Sequence, residues 1–343
     1  MQIGIDNFVS YVVEYDTGRE IDAPTRIADL LEEVELADRS GVDIYGIGEH
    51  HRADFYDSAP TVLLAAAAAR TTDIRLTSAV SVLSAEDPVR LFQQFATIDL
   101  ISGGRAEMVV GRGSFTEAFP LFGLDFEDYD SLYANKLDLL LTIREDPSSV
   151  TWSGRHRRPL TGQGVYPLPV QDRIPVWLGA GGSPESFVRA GRLGLPLMVA
   201  IIGGEPRRFL PLIELYRDAG RRSGFAPEQL KVGIHVPGLI ADTDAAAEEA
   251  AYPGWQDLFG NVARERGFPM PGRAEFDALA GPHGAMFVGS PDTVARKIGS
   301  VSDDLGGLDR LTVQMTNTKL PHPTMLRAIE LLGTQVKPQV LSR

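Results

Sequence analysis

The chain has no cysteine among its 343 residues, which removes disulfides, thiolate metal sites, iron–sulfur clusters and cysteine nucleophiles at once. It is short of positive charge: 33 Lys and Arg face 46 Asp and Glu, for a net charge of −13. A general nucleic-acid binder needs a basic face to neutralise phosphates, so that class is excluded. A small phosphate site is not, because a few backbone N–H groups and one Arg are enough. Long apolar runs are missing too. The longest, Val62 to Ala69, falls far short of the roughly 20 residues that span a bilayer. The N-terminus, Met1-Gln-Ile-Gly-Ile-Asp6, enters a strand-like run with no basic region or apolar signal core, so the expected compartment is the cytoplasm.

What is present is an ordinary soluble composition, 43% hydrophobic and 23% charged, able to bury a large core. The length suits two average domains or one α/β barrel with insertions. Eight short apolar runs, rich in β-branched residues or bounded by glycine and polar residues, read as strands. They are Gln2–Val9, Asp43–Glu49, Ile74–Leu83, Glu107–Gly111, Pro175–Gly179, Pro196–Ile202, Val232–Ala241 and Leu308–Met315.

Helical spacing fills most of the gaps. Thr25–Ser40 is the clearest case, with Ile27, Leu30, Leu31, Val34 and Ala37 on one stripe and Gly41 to stop it. Pro88–Leu100, Tyr129–Arg144, Pro184–Leu193, Arg207–Ser223 and Pro291–Val301 read the same way. Eight strand–helix units predict an α/β fold, a (β/α)8 TIM barrel forming one domain over residues 1–343. The alternative is a doubly wound sheet with an appended domain. Residues 146–174 and 243–307 are too long for simple crossovers and predict insertions between strands four and five and between strands seven and eight.

In such a barrel, chemistry belongs at the C-terminal ends of the strands. The second strand ends Gly48-Glu49-His50-His51. Neighbouring strand residues point to opposite sides, so the two histidines are not expected to share a metal. No His-x-His pair exists among the six histidines, and no metal site is expected. An inward His50 suits general acid/base work, and a hydrogen-bonded rim histidine is the plainer alternative. Arg112, between Gly111 and Gly113 at the end of strand four, suits a phosphate or a salt bridge across the rim. Strand five runs into Gly181-Gly182-Ser183-Pro184-Glu185-Ser186. This is a glycine-lined helix start with Ser183 at the cap position, and it could seat a phosphate or be an ordinary loop. Thr77 to Ser84 carries small residues that leave room for something flat.

Taken in order, these pieces resemble the luciferase-like flavin monooxygenases. The likeness runs through Glu49-His50-His51, Ala79-Val80, Asp87-Pro88-Val89-Arg90, Ile98-Asp99 to Arg105, Gly111-Arg112-Gly113, Gly179–Ser186, Gly194-Leu-Pro196 with Met198, and Val288-Gly-Ser-Pro-Asp292. The resemblance implies FMN at the mouth of the barrel, used in its reduced form with O2 on a small organic substrate. It implies the phosphate over Gly181, Gly182, Ser183 and Ser186 with Arg112 beside it, and the flavin ring near Ala79, Val80 and Met198. It also implies a non-proline cis peptide at Ala79–Val80 and His50 as the acid/base residue.

Further implications are a separate NAD(P)H:flavin reductase, a homodimer built on the early barrel helices, and a lid near 267–284. Related barrels use the deazaflavin F420 for hydride transfer, which is the second reading; a flavin-storing or sensing protein is a third. Light-emitting members have a reactive cysteine where this chain has Gly111, so light emission is not implied.

Overall fold

Each of the eight apolar runs is a strand in the computed structural model, starting and ending within two residues of where the sequence put it. The structure describes residues 1–113, 115–267, 269–270 and 272–342. The first strand, Gln2–Asn7, pairs in parallel with Arg310–Gln314 on one side and Ile44–Ile47 on the other. Parallel pairing continues through Val232–Ile240, Leu197–Ala200, Val176–Ala180 and Met108–Gly111.

The third barrel position is a strand in two halves. Arg75–Ser78 pairs with the second strand and Ser81–Val82 with the fourth, and the Ala79–Val80 peptide between them is cis. The ring is therefore a nearly closed parallel barrel with helices outside it. A short strand, Phe287–Gly289, extends the seventh position. An antiparallel pair, Val150–Trp152 with Leu160–Gln163, lies in the gap between the fourth and fifth.

The helices form for local reasons. Asp22 caps helix Ala23–Arg39 by accepting from the Thr25 N–H at 2.8 Å. Gly41, at φ +78°, lets the chain turn away at its far end. Its buried stripe of Leu30, Leu31, Val34 and Ala37 packs on the sheet, each large side chain contributing roughly 1.5–3 kcal/mol of burial. Polar contacts fix the same helix in register: Glu33 takes Arg26 Nη1 at 3.0 Å and Asn7 Nδ2 at 2.8 Å from the first strand, all buried.

Inside the ring, glycines let large side chains fill the space. A Cβ on Gly233 would stand 2.7 Å from Met198 Sδ and 3.2 Å from Trp177. This packing fills the end of the barrel where the strands begin; in such barrels sites are built at the other end, from the C-terminal strand ends. Among the described residues no helix is long and apolar enough to cross a membrane.

Candidate active site

The end of the second strand is built around Gly48. A Cβ there would meet Phe8 at 2.6 Å, Asp57 Oδ2 at 2.8 Å and His50 at 3.0 Å, so only glycine lets these three close together. His50 Nδ1 lies 2.9 Å from Asp57 Oδ2, and its backbone N–H donates to Asp57 Oδ1 at 3.1 Å. The Asp57 carboxyl is fully buried. Burial pushes its pKa up, and the His50 hydrogen bond and charge pull the other way. Phe55 stacks on the His50 ring at 4.4 Å, Phe8 meets it at 4.8 Å and Phe115 edge-on at 5.7 Å. A carboxylate accepting at Nδ1 places the neutral ring's proton there and leaves Nε2 as the acceptor.

His51, like His50, lies past the strand end at Ile47 and has a different carboxylate partner. Its Nε2 lies 3.1 Å from Glu49 Oε1, whose other oxygen takes the Val82 N–H at 2.9 Å. The Glu49 hydrogen bond raises the His51 pKa.

Ala79, Val80 and Met198 come together. Gly111 and Gly179 face Val80, where a Cβ on either would reach 2.7 Å and 3.0 Å from its methyls, and Gly46 faces Ala79 at 3.0 Å. Val80 in turn packs on the buried trio Val109, Trp177 and Met198. Glycines on three strands thus make room for Ala79 and Val80 inside the ring.

Arg112 donates from Nη1 to Asp130 at 2.8 Å and lies 5.3 Å from the centre of the Tyr129 ring. It is thus the rim salt bridge that a lone Arg often makes, yet it also faces the fifth-strand turn. The Glu185 pKa is lowered by the Ser183 hydrogen bond first, with Arg112 and Arg189 adding positive field.

That turn is open. A Cβ on Gly181 would meet nothing within 4 Å, and Gly182 holds φ +132°, with Phe209 its nearest neighbour at 4.0 Å. Ser183 occupies the cap position, but its hydroxyl donates to Glu185 at 2.6 Å and does not cap the helix. Helix Pro184–Arg192 therefore starts without a side-chain partner for its first N–H groups, the arrangement that suits an anion. Ser186 is buried with its N–H on the Ser183 carbonyl at 3.0 Å.

Several neighbours of the site were not legible in advance. Asp57 sits in a turn seven residues after His50, a distance no spacing rule links. Asp6 pairs with His235 from the opposite end of the chain, Nδ1 to Oδ2 at 2.6 Å. Inward-facing parity on the first and seventh strands was the available signal. A cavity of about 40 Å³ beside the seventh and eighth strand ends is lined by Pro237, Gln314, Thr316, Trp255, Phe259 and Met286. Its outer wall is the long helix Asp244–Arg266. Asp257 of that helix takes Tyr11 Oη at 2.7 Å and Thr318 Oγ1 at 2.8 Å. Burial and this carboxylate push the Tyr11 pKa up to about 12.

Within the expected lid, Phe268 and Pro271 lie outside the described residues. Its remainder carries helix Arg273–Ala280. Lys297 Nζ ties that segment down by donating to the Gly281 and Met286 carbonyls, each at 2.6 Å.

A family model described as luciferase-like monooxygenase matches residues 8–307. The 4-hydroxyprotoasukamycin monooxygenase of Streptomyces nodosus subsp. asukaensis is 28% identical, with 90% of this chain and 85% of that protein covered. Among solved structures, the oxygenating constituent of 3,6-diketocamphane monooxygenase from Pseudomonas putida, in complex with FMN, superposes with a TM-score of 0.77 at 19% identity, covering 99% of both chains. An F420-dependent secondary alcohol dehydrogenase superposes at 0.72 and 18% identity, covering 99% of this chain and 98% of that one. At such identities the two structures speak for the fold, and the family model speaks for the family.

Proposed function

The chain belongs to the luciferase-like monooxygenase family, and we propose that it uses reduced FMN and O2 to oxygenate a small organic substrate. A separate NAD(P)H:flavin reductase would deliver the flavin. The observation that carries this reading is one shared mouth. The His50–Asp57 pair in its aromatic cage and the uncapped turn at Gly181 and Gly182 both stand at the C-terminal strand ends.

Bound reduced flavin supplies the electrons that activate O2. The protein's own residues do the rest. Gly181, Gly182, Ser183 and Ser186 would hold the phosphate through N–H and hydroxyl donors, with Arg112 balancing its charge. Ala79, Val80 and Met198 would seat the ring. His50 holds or takes a proton at Nε2, with Asp57 fixing the tautomer and steadying the imidazolium. Phe8, Phe55 and Phe115 pack around that imidazole and would limit the access of water to it.

The named relative is a monooxygenase and one solved neighbour holds FMN. Another takes F420, and hydride transfer from F420 is the rival outcome. Anaerobic titration with reduced FMN, oxidised FMN and F420 separates them: reduced FMN should bind tightest. Tight F420 binding without reduced FMN binding would end the proposal. With a supplied reductase, His50→Ala should cut product formation about 10²–10⁴-fold; an unchanged rate would remove His50 from the chemistry.

A homodimer over helices Pro60–Ala68 and Pro88–Ser102 is part of the same reading. Val62, Leu100 and Ile101 are exposed there, and light scattering that returned a monomer at micromolar concentration would exclude it.

A further inference from the structure

A second imidazole faces the mouth. His235 lies on the seventh strand at the same inward parity as Gly233 and Pro237, level with Ala200 on one side and Thr312 on the other. Its Nδ1 is 2.6 Å from Asp6 Oδ2, and the Thr312 hydroxyl donates to the same oxygen. Asp6 and Thr312 are both buried. Phe8 stacks on the His235 ring at 5.6 Å with 13° between planes, and it also packs against His50 at 4.8 Å. One phenylalanine thus separates two imidazole–carboxylate pairs drawn from distant parts of the chain.

This pair is a poor device for holding a barrel together. Barrel interiors are packed with branched apolar side chains, and a buried carboxylate is costly unless fully hydrogen-bonded. Here satisfaction runs to one side only. Asp6 and the Nδ1 edge are fixed, while among the described residues Nε2 has no hydrogen-bond partner and the side chain keeps about 10% of its surface open. A carboxylate at Nδ1 holds the proton there, so the free nitrogen is an acceptor.

We propose that His235 is a catalytic residue that touches the organic substrate: its Nε2 accepts a hydrogen bond from a phenol or enol O–H and takes that proton. Asp6 and Thr312 are its positioning residues. In the step the substrate O–H bond breaks, its electron pair stays on oxygen, an Nε2–H bond forms, and Asp6 balances the imidazolium. The deprotonated phenol or enol is the more electron-rich form, which favours oxygenation. His50 then serves the flavin side of Phe8 and His235 the substrate side. The catalytic role rests on the monooxygenase reading; the acceptor geometry does not.

The test therefore begins without flavin. Histidine-labelled protein is observed by long-range 1H–15N correlation, with His235→Gln and His235→Asn to assign the ring. The expected tautomer carries its proton on Nδ1 and shows an unprotonated Nε2. Phenol should shift that nitrogen, and anisole, the same ring without the donor, should not. A ring protonated on Nε2 alone, equal shifts with both probes, or no shift with either would overturn the proposal.

Once a product assay exists, Asp6→Asn gives a second readout. The amide oxygen keeps both hydrogen bonds but loses the charge, so kcat should fall about 10²-fold with KM unchanged. A change in KM alone would assign the pair a structural role and overturn it. Failure of reduced FMN to bind would count against the flavin reading and leave the tautomer result standing.

Discussion

The two ends of the barrel are built from the same kinds of polar residue to opposite effect. At the floor, Arg310 pairs with Glu107 through both Nη atoms and reaches Gln2 Oε1 through Nη2 at 2.9 Å, and Arg75 Nε adds a further contact to Glu107 at 3.1 Å. The Arg310 guanidinium also lies 3.9 Å from the centre of the Trp177 ring. These charges are spent on one another, and nothing is left to bind. At the mouth, His50 and His235 each have Nδ1 fixed by a carboxylate, while among the described residues Nε2 has no hydrogen-bond partner. The difference teaches where to look for chemistry: a buried polar group is informative when its partners stop short of its last donor or acceptor.

The sharpest way to break the comparison is to open the floor. Arg310→Met leaves the buried Glu107 without its main partner, which should cost about 3–5 kcal/mol of stability. Urea unfolding measures it, with reduced-FMN affinity of the folded fraction unchanged. A stability within 1 kcal/mol of wild type, together with weakened flavin binding, would mean the two ends are not separate.

The mouth should respond the other way. At Gly181 an added Cβ meets nothing within 4 Å, so Gly181→Asp should leave stability within about 0.5 kcal/mol. Its carboxylate would oppose a phosphate, and reduced-FMN affinity should fall at least tenfold, about 1.4 kcal/mol. Unchanged affinity by titration would move the phosphate elsewhere.

The sequence made the ring legible and left its furnishing obscure. The strands could be read because Ile, Val and Leu cluster in runs of four to eight between glycines, and parallel strands buried on both faces need that composition. Helix Ala23–Arg39 was legible from its one-sided stripe. Helix Pro60–Ala68 was seen only as an apolar stretch, because its Leu and Ala residues leave no polar face and give no period. His50, Ala79 and Gly181 stood out through motif order. Asp57 and the Asp6–His235 pair did not, because their meaning lies in contacts that the closed ring creates. Asp6 and His235 are 229 positions apart, and each alone reads as an ordinary strand residue.

A third histidine tests whether a carboxylate partner by itself marks a site. His322 begins helix His322–Leu331 outside the ring, with Nε2 3.0 Å from Glu32 and Nδ1 3.6 Å from Glu33. Burial pushes its pKa down, but the close Glu33 and Glu32 carboxylates and the Asp29 charge outweigh this and hold it at about 9. A folded pKa above the unfolded value of about 6.5 stabilises the protein fully below pH 6.5, and that stabilisation is lost as pH rises through 9. With solvent screening at this partly exposed position the effect is roughly 1–2 kcal/mol.

Lys136 and Lys297, each lowered by burial to about 8, titrate nearby with the opposite sign. Their folded pKa lies below the unfolded one, so their contribution grows from pH 8 upward. The informative quantity is therefore the difference between wild type and His322→Gln: its size should shrink between pH 6.5 and 10 in urea unfolding, while reduced-FMN affinity stays the same in both proteins. If His322→Gln weakened flavin binding instead, an imidazole flanked by carboxylates outside the ring would be acting at the mouth, and placement inside the ring at the strand ends would lose its standing as the mark of the site.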